Sequence, residues 1–245
     1  MWRLSQSLPT ALQTGHSLAY QHVQTSPSEE ARRFRLMVLV ARGDLVEDLA
    51  DILEDLGVEP LGFLPELLAS VNTMAEQLES RPGLVSWIQM AASGTGLLLI
   101  DRGVPTFYRF TSWGVDQVIQ RAAVHLGRSF EDVSATLQGG SLTRPTEVGG
   151  NEVAAVSDSI VPLLQEMQST VQFHLRQAGR SDLTQVILSG GGAKLPGMES
   201  LLGSVLQAPC STLDTLLVGL GLPQGDEGRY AACLGAVKAL EGRAP

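Results

Sequence analysis

The segment that most constrains the fold is an apolar strand followed at once by a glycine turn and the start of a helix, at residues 186–198 (VILSGGGAKLPGM). Three consecutive glycines remove every Cβ from the turn, so backbone can pass close to a ligand or to a neighbouring strand. The amides that open the next helix are oriented toward an anion or a purine ring. However, a tight strand-to-helix connection needs the same glycines for steric reasons alone, and no Gly-Lys-Ser/Thr phosphate motif is present. The turn therefore predicts an α/β unit and leaves ligand binding open.

Strands alternate with helices along the rest of the chain. Apolar runs predict strands at residues 18–23, 34–41, 61–64, 84–90, 96–101, 106–111 and 186–188. Helical periodicity predicts helices at residues 44–56, 65–78, 115–126, 130–137, 160–177, 197–206 and 230–240. Because of Pro162, we expect the regular part of the long helix to begin near Ile160. The alternation favours a mixed α/β architecture in two subdomains, with a boundary at Arg81-Pro82-Gly83.

Two segments of this pattern bear on function. Residues 84–111 predict a three-stranded meander, and residues 139–150, which are rich in Gly, Ser, Thr and Pro, predict an exposed loop. The helix at residues 44–56 carries apolar side chains on one face and six carboxylates on the other: Asp44, Glu47, Asp48, Asp51, Glu54 and Asp55. Because no apolar neighbours would raise their pKa values, we interpret these carboxylates as a solvated face rather than a metal or acid–base cluster.

Composition excludes several classes of function. The net charge of −9 argues against attraction to nucleic acid or to an anionic membrane, and no apolar run approaches the roughly 20 residues of a membrane span. Since the first residues lack the pattern of a signal peptide, we expect a cytoplasmic protein. Cys210 and Cys233 have no metal-ligand spacing and are expected to be buried as small hydrophobes. The four histidines are scattered and have no paired nucleophile.

The glycine turn also carries a family resemblance. Ser189-Gly190-Gly191-Gly192, followed by Leu195-Pro196-Gly197-Met198, resembles the adenosine motif of actin-like ATPases in the branch of the PilM and FtsA families. Residues 95–114, 166–173 and 231–236 agree with it, as do Trp2, Pro9 and Tyr20. The resemblance implies an α/β, actin-like (ribonuclease H-like) ATPase fold, present in part. Residues 1–80 would be the small inserted α/β subdomain, and residues 81–245 the second lobe.

The resemblance further implies where a nucleotide would lie. If nucleotide binding is retained, the cofactor-binding residues would be Gly190, Gly191, Gly192, Ser93, Gly94 and Thr95. The Asp-Ile-Gly of the family's second phosphate turn corresponds to Gln89, Met90 and Ala91, and a neutral amide lacks the charge that magnesium requires. A glutamate and a lysine near the ribose and base correspond to Ser134 and Gln138. The family's first phosphate strand and turn would precede Met1.

These differences predict no catalytic residue, no resident metal and no ATP hydrolysis, while weak binding of ATP with magnesium stays open. Lys194 is expected to be an exposed lysine at a helix start rather than a phosphate ligand.

The function that the resemblance implies is that of an assembly scaffold. It would serve the inner-membrane platform of a type IV pilus, or of a related competence or secretion system, and support twitching motility. The partner would be the cytoplasmic tail of a PilN-like inner-membrane protein, which would hold the chain at the membrane periphery, and a homo-oligomer stays open. One alternative is a nucleotide-binding ATPase or switch of the PilM or FtsA type. Another is the cytoplasmic domain of a GspL-like type II secretion protein.

Overall fold

The computed structural model describes residues 15–25, 34–139, 150–195, 197–218 and 227–241. Trp2 and Pro9, and nearly all of the loop predicted at residues 139–150, lie outside the described residues. The chain forms two compact units, Met1–Pro65 and Glu66–Pro245, which are treated separately below.

The division between the units falls at Pro65, earlier than the predicted boundary at Arg81-Pro82-Gly83. The reason is hydrophobic burial. The helical segment that follows Pro65 places Leu67, Val71 and Leu78 in the core of the larger unit. Burial of these apolar side chains holds the segment on the larger unit, although the turn signal at Arg81-Pro82-Gly83 comes after it in the sequence.

The small unit contains a two-stranded antiparallel sheet and one helix among its described residues. Strand β1 (His16–Thr25) pairs with β2 (Phe34–Arg42), and α1 (Gly43–Asp55) follows β2 directly. The strand predicted at residues 61–64 is wrong, because these residues have no regular secondary structure and all of them are exposed. Pro60 and Pro65 flank the segment, and neither has an N–H group to donate to a sheet.

The large unit is built on a five-stranded sheet. Its strands are β3 (Leu84–Met90), β4 (Thr95–Asp101), β5 (Val104–Thr111), β6 (Gln185–Ser189) and β7 (Cys210–Thr212). The spatial order is β5-β4-β3-β6-β7. Strands β3, β4 and β5 pair antiparallel, which confirms the predicted meander, whereas β6 pairs parallel to both β3 and β7.

Helices cover both faces of this sheet. They are α2 (Glu66–Thr73), α3 (Ala75–Glu79), α4 (Val115–Leu126), α5 (Phe130–Gly139), α6 (Gly150–Gln177), α7 (Met198–Leu206), α8 (Leu213–Leu216) and α9 (Glu227–Glu241). Successive side chains of a strand point to opposite faces. Accordingly, Ile88 and Met90 join one core cluster with α4 to α7, while Val85 and Trp87 join a second with α2, α3, α8 and α9.

The long helix α6 differs from the prediction. It begins at Gly150, not near Ile160, and Pro162 lies inside it. Proline removes one backbone hydrogen bond from a helix interior. Pro162 is exposed, so a carbonyl that loses its partner on this side of the helix can bond to water. The apolar stripe of the helix then holds it on the core through Ile160, Leu163 and Leu164.

Helices α2 and α9 approach each other unusually closely. A Cβ built on Gly235 would lie 1.8 Å from the carbonyl oxygen of Ala69, so no other residue fits there without movement. The Thr73 hydroxyl donates to the Ala231 carbonyl at 2.6 Å, and the Asn72 amide donates to the Gly235 carbonyl at 3.2 Å. This packing fixes two of the elements that border the cavity described next.

Candidate functional site

A cavity of about 340 Å³ opens at the carboxyl ends of the parallel strands of the large unit. In open α/β sheets, ligands bind in the crevice outside these strand ends. The volume of this cavity is at the lower end of the range found for small-molecule binding sites. The lining residues come from α2, β3, β6, the glycine turn, α8 and α9: Glu66, Ser70, Gln89, Leu188, Ser189, Gly190, Gly191, Ala193, Lys194, Leu213, Asp214, Gly228 and Arg229.

The three glycines of the turn have different roles. Gly190 has φ of +82°, and a Cβ there would lie 2.5 Å from the carbonyl oxygen of Met90. A Cβ on Gly192 would lie 2.5 Å from the Met90 Cβ. In contrast, a Cβ on Gly191 would meet nothing within 4 Å, and Gly191 lines the cavity. Two glycines are therefore required by packing on Met90, and the third keeps one wall of the cavity free of a side chain.

The cavity wall carries charges of both signs. Glu66 and Asp214 supply carboxylates, and Lys194 and Arg229 supply cations. Asp214 accepts a hydrogen bond from the Gly228 backbone N–H at 2.6 Å, so its carboxylate caps the first turn of α9. Lys194 is exposed, as predicted, and it also lines the cavity. The arrangement suits a small polar ligand better than an apolar one.

The hydroxyl groups at the cavity are already engaged. The Ser70 hydroxyl donates to the Glu66 carbonyl at 2.9 Å, and the Ser189 hydroxyl accepts from the Trp87 indole N–H at 2.9 Å. Neither His nor Cys is among the described residues that line the cavity. A serine nucleophile needs an adjacent base to activate it. Among the described residues, neither cavity serine is thus paired with a histidine.

The turn between β3 and β4 does not contribute to this cavity. Ser93 is exposed, whereas Gly94 and Thr95 are buried, and none of the three lines the cavity. A Cβ on Gly94 would lie 2.3 Å from the Phe110 ring, and the Thr95 hydroxyl donates to the Trp113 carbonyl at 2.8 Å. The six predicted cofactor residues thus separate into two groups, and the structure brings only Gly190 and Gly191 to the cavity.

The start of α4, beside this turn, has its amides paired. The backbone N–H groups of Val115 and Asp116 donate to the carbonyls of Ala91 and Ala92, both at 3.0 Å. The Gly114 N–H donates to the Gln117 side chain at 2.8 Å. Since a helix N-terminus binds anions through unpaired amides, these three groups are not available to a phosphate.

The positions predicted to have lost nucleotide contacts have different surroundings. Gln89 lines the cavity and is half-buried, and its neighbour Met90 is fully buried beneath the glycine turn. Ser134 is half-buried on α5 and does not line the cavity. The side chain of Gln138 lies outside the described residues.

Magnesium has no evident site among the side chains that the structure describes. No three His, Cys, Asp or Glu residues there come together as a group that could hold a metal ion. At the end of β3 the cavity presents the neutral amide of Gln89, which is a weaker ligand for a hard dication than a carboxylate. Among the described residues, the carboxylates that line the cavity are Glu66 and Asp214, and neither lies at the end of β3.

Sequence reasoning missed six of the cavity residues: Glu66, Ser70, Leu213, Asp214, Gly228 and Arg229. A signal existed for two pairs of them. Glu66 and Ser70 are four residues apart, which places them on the same face of α2. Leu213 and Asp214 follow directly after the parallel strand β7, at the same sheet edge as the glycine turn. Arg229 comes from α9, whose place in the fold no local pattern predicts.

The two cysteines were predicted to be buried, and the structure corrects this. Cys210 is half-buried and Cys233 is exposed. Burial, with a smaller contribution from Glu199, raises the pKa of the Cys210 thiol to about 12. Neither residue lines the cavity, and both are free thiols.

Comparison with protein families decides the identity of the chain. The model of the type IV pilus assembly protein PilM family matches residues 3–218, which is most of the sequence. The chain belongs to the PilM family. A comparison with curated protein sequences finds no significant match.

Solved structures agree with this assignment at the level of the fold. One is a PilM-PilN type IV pilus biogenesis complex. The match covers 100% of this chain and 71% of the chain in that structure, with a TM-score of 0.74 and 21% sequence identity. A second is MreB 5 of Spiroplasma citri bound to AMPPNP. The match covers 80% of this chain and 65% of the MreB 5 chain, with a TM-score of 0.55 and 13% sequence identity. A third is the archaeal actin homolog Ta0583. The match covers 76% of this chain and 57% of the Ta0583 chain, with a TM-score of 0.51 and 19% sequence identity. This PilM-family chain therefore has the predicted actin-like fold.

Across the described part of the chain, every helix is too short or too polar to span a lipid bilayer.

Proposed function

We propose that this PilM-family chain is a scaffold of the type IV pilus inner-membrane platform, which binds the cytoplasmic tail of a PilN-like protein and does not hydrolyse ATP. The observation that carries the proposal is the match of the whole chain to a PilM-PilN complex, together with the family match over residues 3–218. A PilN-like partner would hold the protein at the cytoplasmic side of the inner membrane.

The chemistry of the cavity supports the absence of hydrolysis. Phosphoryl transfer depends on metal charge, on donors to the phosphate oxygens and on a positioned nucleophile. Here the cavity presents Gln89 at the end of β3, and the amides at the start of α4 donate to Ala91 and Ala92. Charge stabilisation and phosphate binding are thus both weakened, whereas binding of a partner protein requires neither.

Calorimetry tests the proposal without nucleotide. A synthetic peptide with the sequence of the tail of the PilN-like protein from the same genome is titrated into the full chain. A scrambled peptide of the same composition serves as the control. We expect saturable binding of the native tail that is unchanged after the protein has been treated with a nucleotide-degrading enzyme. Binding that appears only when ATP and magnesium are added would contradict the scaffold proposal.

A second candidate function is nucleotide binding without hydrolysis, as part of a switch. It is favoured by the open wall at Gly191, where a ligand could approach the backbone, and by the polar lining of the cavity. A Gly191→Val variant would fill that wall and leave the packing on Met90 intact. If ATP binds in the cavity, this variant should lose at least about tenfold in affinity by calorimetry. An unchanged weak affinity would place the ATP elsewhere.

A further inference from the structure

Helix α1 of the small unit carries two rows of apolar side chains, and only one row is covered. The inner row, Val46, Ala50 and Leu53, is half-buried, and α1 packs against β1 and β2. The outer row is exposed: Leu45 at 52%, Leu49 at 43%, Ile52 at 56% and Leu56, the C-cap residue directly after α1, at 73%. No residue of α1 is fully buried. Sequence analysis treated all of these apolar residues as one face, but the structure divides that face in two.

The outer row has the spacing of a coiled-coil seam. Leu45, Leu49, Ile52 and Leu56 follow one another at intervals of four, three and four residues. This is the alternation of d and a positions in a heptad, which lets a second helix pack its own knobs between them. From Leu45 to Leu56 the row spans roughly 16 Å, about three helical turns. Contiguous exposed apolar surface of this kind marks a docking site more often than chance exposure does.

The flanks of the outer row indicate the charge of the occupant. With Leu45 and Ile52 at d positions, Asp48 and Asp55 occupy the g positions beside the seam, and both are exposed. The e positions are Val46 and Leu53 of the inner row, so charge lies on one side only. Charges at g positions set partner choice through salt bridges to the facing helix. Asp44 and Asp51 extend the same acidic edge.

We propose that the outer row of α1 docks a basic amphipathic helix of a partner protein, with Lys or Arg facing Asp48 and Asp55. A second copy of this chain fits less well, because the net charge of each copy is −9 and the same acidic edges would meet. An anionic lipid surface is disfavoured for the same reason. This inference is independent of the PilN-like partner proposed above, since it concerns one helix and its flanking charges.

Fluorescence anisotropy with two synthetic helical peptides tests the proposal on the full chain. Both peptides have three heptads with Leu at a and d, and they differ only in carrying Lys or Glu at e and g. The Lys peptide should bind, and raising the salt concentration should weaken its binding. A Leu49→Ser/Ile52→Ser variant should abolish binding. Val124→Ser, at another exposed apolar residue, should leave binding unchanged.

A charge-reversal variant separates specific docking from general adhesion to an acidic protein. Asp48→Lys/Asp55→Lys should lose about fivefold or more in affinity for the Lys peptide and gain affinity for the Glu peptide. Equal effects of these substitutions on both peptides would overturn the proposal. So would self-association in analytical ultracentrifugation that the Leu49→Ser/Ile52→Ser variant abolishes, or binding to phosphatidylglycerol vesicles that depends on the same two residues.

Discussion

At the scale of single residues, the glycine turn shows that one motif can serve two purposes. Gly190 combines φ of +82° with ψ of −179°, a region that is essentially restricted to glycine, and it touches the Met90 backbone. Gly191 has neither constraint. We expect Gly190→Ala to lower the free energy of unfolding by about 2 to 4 kcal/mol, and Gly191→Ala to change it by less than about 0.5 kcal/mol.

Urea denaturation of the two variants and the parent protein gives this comparison. Both substitutions add one methyl group to adjacent positions, so the difference isolates the backbone constraint. Equal destabilisation by the two variants would show that Gly191 also is required by packing.

The two cysteines should differ in reactivity. The thiolate is the nucleophile, and burial raises the pKa of Cys210 to about 12, so this thiol stays protonated at pH 8. Cys233 is exposed. Labelling of the native protein with iodoacetamide, followed by mass spectrometry, should modify Cys233 first. A Cys233→Ser variant should therefore label slowly until the pH approaches the raised pKa or denaturant is added. Rapid labelling of Cys210 at pH 8 would contradict its burial.

At the scale of elements, the contact between α2 and α9 depends on the absence of one side chain. Because a Cβ on Gly235 would lie 1.8 Å from the Ala69 carbonyl oxygen, Gly235→Ala must push the two helices apart. That movement would stretch the hydrogen bond from Thr73 to Ala231. We expect a loss of about 3 kcal/mol in unfolding free energy, measured by urea denaturation.

Gly203→Ala is a matched control for the α2–α9 contact. Gly203 also lies within a helix, and its nearest neighbour, the Ala208 carbonyl oxygen, would be 3.2 Å from the added Cβ. This variant should lose much less stability than Gly235→Ala. A similar loss in both would attribute the effect to alanine in a helix and not to the contact.

Proline in the middle of α6 leads to the opposite expectation. Pro162 is exposed and lies within a helix of 28 residues, where proline is about 3 kcal/mol less favourable than alanine. Pro162→Ala should therefore raise the unfolding free energy by about 1 to 3 kcal/mol. The gain is partly offset because the unfolded chain becomes more flexible without the proline. A rise in the urea midpoint checks this prediction. A fall would show that the proline stabilises a bend on which the core depends.

The elements differ in how far the sequence predicts them. Periodicity predicted the meander and the core helices well, because hydrophobic alternation and burial coincide in a sheet covered on both faces. It failed at residues 61–64, where an apolar run is exposed, and at α6, which begins at Gly150 although Pro162 led us to expect its regular part to start near Ile160. Which half of the α1 apolar face is covered depends on tertiary packing, and no local pattern carries that information.

The candidate site was predicted in part for a similar reason. The glycine turn can be recognised from the sequence alone. In contrast, Glu66 and Arg229 reach the cavity only because α2 and α9 pack together through Gly235. Conversely, Ser93, Gly94 and Thr95 belong to a turn whose backbone groups pair with the start of α4 and with β5. Such long-range pairings decide which residues share a cavity.

At the scale of the whole molecule, the chain combines an actin-like fold with a cavity whose described residues present Gln89 at the end of β3. Membership of the PilM family and the match to a PilM-PilN complex direct attention to partner binding. The exposed row on α1 adds a second surface of distinct chemistry. We therefore propose that the molecule acts through its binding surfaces.

Phosphate release by the full chain, with ATP and magnesium and a saturating concentration of the PilN-like tail peptide, tests this account most directly. The account predicts a rate equal to the buffer background, with the tail peptide bound throughout as reported by anisotropy. Turnover above background that disappears in a Gly191→Val variant would contradict it, because the cavity would then be a working ATPase site.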